Sequence, residues 1–586
     1  MQIRRLKVSN FRGIAMLDWK PGHSFCCLIG PGDSGKSTVL DAAEACLSSR
    51  WYAFAEPDFT NADTTNPISI EATVGELSAS LKSDERFGLF IRGWTTAGEL
   101  RDEPEDDDEP VLTVRLTVDA SMEPSWELIC DRTSDPRALS NRDRALFGLV
   151  RLAGDDARQL AWGQGSILSR LTGNSAEAAG RLAQAYKAAR ENAKLHEIEA
   201  LTKAAEAAEE FAKGLGAYVD EGYSPGLELG RSGLSSGSIA LHDGSVPLRL
   251  AGLGTRRLAT LGLQKSAIAE GAIVLVDEIE HGLEPHRILG AISQLKSAQE
   301  DSKRVGKPAG QVLMTTHSEV ALGEAGPEAL RALIANRTSR AVEVVSSEPI
   351  EAMLKLIRFT PRALFSRRIM VCEGSTEVGL LMGLRERWPA GHGGLPIEYH
   401  GASIVDGNGA EACSMALNIS KLGFTVAIYR DSDDPLSAKQ TAALSVAGIP
   451  VFEYGGGIYT ERAILEAAND DQVQKILDYA REERGEAFIN DNLVAKVTNM
   501  DTATVKVPFN AWTIFIESDG IQLRVALSEV ASGKAFENGK DKKSKSWFKD
   551  QVRARGLAPI VDDIAQSNPA SPLSQTLKKV EEWLYA

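Results

Sequence analysis

Phe25-Cys-Cys-Leu-Ile-Gly30-Pro-Gly32-Asp-Ser-Gly35-Lys36-Ser37-Thr38 is the stretch on which the fold turns. An apolar pentad of strand character runs into Gly-x4-Gly-Lys-Ser, and Thr38 to Leu47 then reads as a helix. The glycines let the backbone curl so that its N–H groups face an anion, Lys36 reaches terminal phosphates, and Ser37 ligates Mg²⁺. Gly30, Gly32, Gly35, Lys36, Ser37 and Thr38 are therefore the candidate nucleotide-binding residues.

A second element lies downstream. Ile273-Val-Leu-Val-Asp277-Glu278 is an apolar strand that delivers Asp277 to a Mg²⁺ shell and leaves Glu278 to orient or deprotonate an attacking water. Thr315-Thr-His317-Ser closes the next strand, where His317 is placed to sense the γ-phosphate. About twenty residues before the acidic strand lies Leu250-Ala-Gly-Leu-Gly-Thr-Arg-Arg257, and near the start of the chain lies Asn10-Phe-Arg12-Gly13. In this order the motifs resemble the SMC- and ABC-type ATPases, and the resemblance implies ATP as cofactor. It also implies a site completed by the signature of a second subunit. Ala251 stands where that signature carries serine and Leu253 where it carries its second glycine, so the hydroxyl that would touch the γ-phosphate is missing.

Around these motifs the chain divides. With 586 residues and ~150 per domain, about four folding units are expected. Residues 99–110 are a like-charge run with two prolines and read as an exposed loop. From Ala176 to Lys213 the composition turns to Ala, Glu, Lys, Arg and Leu without proline, which predicts one or two long helices. The expected divisions are an ATPase N-terminal part over 1–165, a helical arm over 166–220, and an ATPase C-terminal part over 221–350. A second α/β core over 360–465 and a mainly helical remainder over 466–586 follow. Strands in the second core are expected at Arg368–Cys372, Ile397–Tyr399, Thr425–Tyr429 and Pro450–Phe452.

That second core carries acids at strand ends. Val371-Cys-Glu373-Gly374-Ser-Thr-Glu377 sets two carboxylates a helical turn apart, and Tyr429-Arg-Asp431-Ser-Asp433-Asp434 sets two more at i and i+2. Ile404-Val-Asp406-Gly-Asn-Gly409 supplies a tight turn and Gly455-Gly-Gly-Ile-Tyr-Thr-Glu461 a further acid. Oxygen-only clusters suit Mg²⁺ or Mn²⁺ rather than zinc. In this order they resemble a TOPRIM domain, and an SMC-like ATPase joined to it resembles the OLD (overcoming lysogenization defect) family nucleases.

The fold expected is therefore α/β: an ABC/SMC-type ATPase domain with a helical dimerisation insert, a TOPRIM domain, and a mostly helical C-terminal segment. The resemblance implies ATP-regulated, metal-dependent DNA endonuclease activity, with double-stranded DNA as substrate and anti-phage defence as setting. Glu373, Glu377, Asp431, Asp433 and Glu461 would hold two divalent ions about 4 Å apart. Family members also place a C-terminal lysine near the scissile phosphate; Lys545 is the choice here, with Lys543 and Lys549 as rivals. Partners implied are a second copy of the chain and a helicase-like protein.

Composition is compatible with this. Hydrophobic residues at 43% and charged residues at 25% exclude a wholly disordered or collagenous chain. No aliphatic run nears the ~20 residues of a membrane-spanning helix, the N-terminus lacks a signal-peptide pattern, and the six cysteines form no CxxC pair. The cytoplasm is the expected compartment. A formal charge of −16 confines any nucleic-acid contact to local basic patches. One candidate is Gly539 to Lys549, with five lysines, one acid, and Trp547 and Phe548 as stacking rings or as one buried anchor and one exposed ring. Two alternatives remain: an SMC-like clamp or signalling ATPase with idle carboxylates, and a topoisomerase-like strand passer using Tyr429 or Tyr459.

Overall fold

Gln2–Phe11 and Ile14–Trp19 alternate in burial and form strands β1 and β2, paired antiparallel through a turn at Arg12-Gly13. The computed structural model describes residues 1–152 apart from Trp51, scattered positions between 181 and 247, and residues 250–586 apart from Arg337, 347–350, 516–518 and 537–543. These fall into two compact units. One comprises Met1–Leu28, Gly35–Glu324 and Ala335–Glu343; the other comprises Ile29–Ser34, Ala325–Ile334 and Val344–Ala586. The alanine-rich segment 176–213, expected as a helical arm, lies outside the described residues except at scattered positions.

Strand β3 (Phe25–Ile29) is buried throughout, and α1 (Lys36–Leu47) follows it in the chain. β1 pairs with β4 (Ile68–Gly75), and β4 with β5 (Glu109–Val118), in an antiparallel sheet that excludes β3. The acidic run is more than the solvated loop expected from its charge. Asp102 pairs with Arg92 at 3.1 Å and Arg132 at 3.4 Å, Asp108 pairs with Arg101 at 3.4 Å, and Glu109-Pro110 begin β5. Local arginines offset the repulsion that the run would otherwise suffer.

Strand β3 joins a separate parallel sheet. β6 (Leu149–Leu152) pairs with β7 (Ile273–Val276), which follows α2 (Leu253–Ala269); β7 pairs with β8 (Gln311–Thr315), and β8 with β3. All four residues of β7 are buried, as a strand covered on both faces requires. The Gly-rich loop, Asp277 and His317 each follow the carboxyl end of one of these strands, where open α/β sheets bind ligands.

The second unit holds another parallel sheet. Its strands are β9 (Arg368–Cys372), followed by α3 (Ser375–Leu384), β10 (Ala402–Asp406), β11 (Thr425–Tyr429) and β12 (Val451–Phe452), in the order β10-β9-β11-β12. Ile397–Tyr399, expected as a strand, falls instead in a 3-10 turn between Pro396 and Gly401, whose φ of 70° ends it; the strand starts at Ala402. Beyond the sheet, α4 (Thr460–Ala467), α5 (Gly520–Ser532) and α6 (Gln551–Ser567) share one apolar core with Trp512, Trp547 and Phe548. Among the described residues no helix is long and apolar enough to cross a membrane.

Candidate functional site

Helix α1 starts at Lys36 with Gly35 as its cap at φ 91°, and Gly30 sits at φ 147°. A Cβ on Gly30 would lie 2.7 Å from the carbonyl oxygen of Leu333, so both backbone sign and space demand glycine there. Lys36 is buried, Ser37 exposed and Thr38 half-buried. The Ser37 hydroxyl donates to Asp277 Oδ1 at 2.9 Å, across 240 residues of sequence. The Thr315 hydroxyl donates to the same oxygen at 2.7 Å, while Arg151 holds Oδ2 at 2.9 Å. Burial alone would lower the pKa of the Arg151 guanidinium, but Asp41, Glu44 and Asp277 outweigh it and raise it.

Neighbouring groups fix the turn that follows. Glu278 adopts a left-handed φ of 46°, and its amide donates to Thr315 Oγ1 at 2.8 Å. Fully buried Arg257, from α2, donates to the carbonyl oxygens of Asp277 and Glu278 at 2.7 and 2.8 Å. Gly254, in the signature segment, packs so closely on this region that an added Cβ would lie 2.9 Å from Gly282 O. Glu280 accepts from the Thr316 hydroxyl and the His317 amide, each at 2.6 Å, leaving His317 exposed beyond the strand end. Arg12 anchors Asn10-Phe-Arg-Gly by donating to Asp58 Oδ1 at 2.8 Å and pairing with Asp41.

The acids of the second unit converge electrostatically. Glu377 is buried on α3, accepting from the Gly374 amide at 3.1 Å and the Thr460 hydroxyl at 2.7 Å; burial pushes its pKa up to about 7, with Glu461 and Glu373 adding to the rise. Glu373 is raised by burial and pulled back by Arg430, 3.3 Å away. Asp431 stands well above the usual carboxylate range, first through burial, then through its hydrogen bond with Asp433 and the charge of Glu373. Asp433 is paired with Lys534. Glu461 is buried and raised by that burial, against the pull of Lys549 and Lys534.

Asp431 Oδ1 and Glu461 Oε1 are buried without a hydrogen-bond partner among the described residues, a deficit that a cation would relieve. Their all-oxygen chemistry fits a hard divalent ion. Among the described residues, however, no three acidic, histidine or cysteine side chains lie together so that they could hold a metal ion, and the five acids expected to do so are not assembled into one ligand set. Arg430 and Lys534 already hold Glu373 and Asp433.

Other expected residues lie elsewhere. Lys545 meets Asn492 at 3.4 Å and the rings of Phe488 and Phe536, 5.1 and 5.8 Å from their centroids. It is thus held by a neutral amide and aromatic faces, and the lysines in the acids' field are Lys534 and Lys549. Lys543 lies outside the described residues. Trp547 and Phe548 are 0% and 2% exposed, so neither ring is free to stack on bases: the core claims both. Tyr429 is buried with its hydroxyl on Tyr454, and Tyr459 hydrogen-bonds Ser528 at 2.8 Å, so neither presents a free nucleophile. Arg430 and Thr460 were legible only as neighbours of Asp431 and Glu461, and nothing in the sequence marks Lys534.

A phosphate loop closed by a strand-end aspartate, together with an acid-lined parallel sheet, defines an ATPase joined to a TOPRIM domain. Residues 25–323, just over half of the chain, match the family described as "AAA domain, putative AbiEii toxin, Type IV TA system". Residues 364–433 match "Overcoming lysogenization defect protein-like, TOPRIM domain". The chain belongs to this ATPase family, and its second domain matches the TOPRIM domain of OLD-like proteins. Such domains use nucleotide and divalent metal.

Similar solved structures include an Smc head bound to the C-winged helix domain of ScpA (17% identity, 59% of this chain and 98% of that one, TM-score 0.34). Others are the SMC head domain from Thermotoga maritima (15%, 59% and 100%, TM-score 0.27) and an Smc head with an extended coiled coil bound to the C-terminal domain of ScpA derived from Pyrococcus furiosus (15%, 61% and 98%, TM-score 0.33). No curated protein matches the chain.

Proposed function

We propose that the chain is an ATP-regulated, divalent-metal-dependent DNA endonuclease. The observation that carries this reading is the pair of buried, unpartnered carboxylate oxygens on Asp431, just past the end of β11, and Glu461, in the first turn of α4. Glu373, Glu377, Asp431, Asp433 and Glu461 would hold the ions, Mg²⁺ or Mn²⁺. Bound there, such ions supply a hydroxide nucleophile and stabilise a leaving 3′ oxygen. The chain's own groups do the rest. Arg430 orients Glu373, Thr460 fixes one oxygen of Glu377, and Lys534 and Lys549 put positive charge where a DNA phosphate would approach. With a net charge of −16, such local lysines matter more than any global attraction.

Duplex DNA as substrate, self-association, a helicase-like partner, a cytoplasmic location and a role in anti-phage defence complete the reading and rest on the family. Incubating supercoiled plasmid with Mg²⁺ or Mn²⁺ tests its core. The wild-type protein should nick or linearise the plasmid, and Glu373→Ala and Asp431→Ala should fall to background. Regulation by ATP requires that Lys36→Ala alter cleavage only when nucleotide is present; identical cutting by both proteins with and without ATP removes it.

One observation favours a second reading, an ATPase clamp or signalling scaffold: Arg430 and Lys534 already neutralise two of the five acids. Equal background relaxation by wild type and both acid variants would establish that reading instead.

A further inference from the structure

We propose that Arg151 is a positioning residue of the ATP site, aiming the cation-ligating carboxylate of Asp277 and tying that aim to helix α1. Strand β6 runs parallel to β7 with Leu152 opposite Val276, and the Asp277 amide donates to Leu152 O at 2.9 Å. This register brings Arg151 beside the acid. Its side chain is 8% exposed and touches three carboxylates: Asp277 Oδ2 at 2.9 Å, Glu44 Oε2 at 2.9 Å, and Asp41.

Helix α1 closes the arrangement into a ring. Ser37, Asp41 and Glu44 are spaced i, i+4 and i+7 and so share one helix face. The first donates to Asp277 Oδ1, and the other two grip the arginine that holds Oδ2. The planar guanidinium divides its donors, Nη2 holding Asp277 Oδ2 and Nη1 holding Asp41 and Glu44, a fixed division of directions that a point charge does not supply. Asp277 is thereby held with Oδ1 toward Ser37, the other expected ligand of the ion that accompanies ATP. Two carboxylates already suffice to balance one guanidinium. The third contact, to Asp277, is therefore more than charge balance requires. Asp41 also pairs with Arg12, so the N-terminal Asn-Phe-Arg-Gly segment belongs to the same network.

The test measures binding of a fluorescent ATP analogue in EDTA and across a Mg²⁺ or Mn²⁺ titration. Arg151→Gln should bind the analogue in EDTA as wild type does, while the cation concentration needed for half-maximal enhancement rises about 10–100-fold, the usual cost of removing a group that orients a metal ligand. Arg151→Lys, which keeps the charge without the planar fork, should fall between. If Arg151→Gln does not fold, Glu44→Gln leaves Arg151 and Asp277 in place, loosens only the tether, and should shift the midpoint in the same direction. An unchanged cation midpoint overturns the proposal. So does an equal loss of affinity with and without cation, which marks a purely structural role.

Discussion

The ammonium of Lys534 is seated on the carboxylate of Asp433, 101 residues earlier in the chain, and lies 3.8 Å from the centroid of the Tyr459 ring. Asp433 in turn interacts with Asp431 and raises its pKa, so one cation from α5's end is seated beside this pair of acids. The contact has two consequences for the proposed nuclease. The lysine competes with metal for Asp433, and it keeps positive charge at the place where a phosphodiester would bind.

Replacing Lys534 with methionine should therefore separate these effects in a plasmid-nicking assay. The divalent-ion concentration needed for half-maximal cleavage is expected to fall, while the rate at saturating metal drops by about 10²-fold, the scale of losing one preorganised charge at a reacting centre. Lys545→Ala should leave both quantities near wild type, since that lysine faces Asn492 and two phenylalanines. A large loss for Lys545→Ala with none for Lys534→Met would restore the sequence-based choice.

Trp547 offers a prediction of stability rather than of DNA binding. It is wholly buried, and Phe548 beside it stacks on Tyr479 with 6.0 Å between ring centroids and planes 9° apart. Trp547→Ala should cost about 3–5 kcal/mol, read as a lower urea midpoint. Unfolding unchanged by the substitution, with DNA affinity reduced, would return the ring to the surface.

These residues mark what could be read in advance. The phosphate loop, Asp277-Glu278 and Glu373-Gly-x2-Glu377 were legible because their chemistry demands a fixed local spacing, which sequence preserves. Arg151 and Lys534 were not, because strand register and tertiary packing bring them to their acids, and Arg430 stood out only as the neighbour of Asp431. Ile397–Tyr399 resembles a short buried strand, but the left-handed turn at Gly401 displaces the strand to Ala402. Trp547 and Phe548 follow a lysine-rich stretch, where the pair reads as stacking rings or as one buried and one exposed ring; packing buries both.

Helix α3, which carries Glu377, lies against α6 through two glycines. A Cβ on Gly383 would meet the Cβ of Ala558 and sit 2.5 Å from Arg555 O. Helix propensity alone favours Gly383→Ala by about 1 kcal/mol, yet overpacking against backbone costs about 1–3 kcal/mol, and here two contacts clash. Gly383→Ala is expected to destabilise, and calorimetry reporting a higher Tm would contradict the close approach of the two helices.

Glu377 links this packing to pH. Its pKa of about 7 in the folded, metal-free chain lies above the ordinary 4.5, so the folded state holds a proton that the unfolded chain has released. The stability contributed by that proton is complete below about pH 4.5 and is lost as pH rises through about 7. The difference of ~2.5 units corresponds to about 3 kcal/mol. Urea unfolding of chelator-treated protein at pH 5 and pH 8 should therefore reveal a decline in wild type that is smaller in Glu377→Gln, the remainder coming from the other buried acids, Asp431 above all. Adding Mn²⁺ at pH 8 should recover stability in wild type, because cation binding replaces the missing proton and strengthens as the carboxylates ionise. Parallel pH profiles for the two proteins would mean that Glu377 is already ionised at pH 5, and that its burial costs the fold nothing that a metal could relieve.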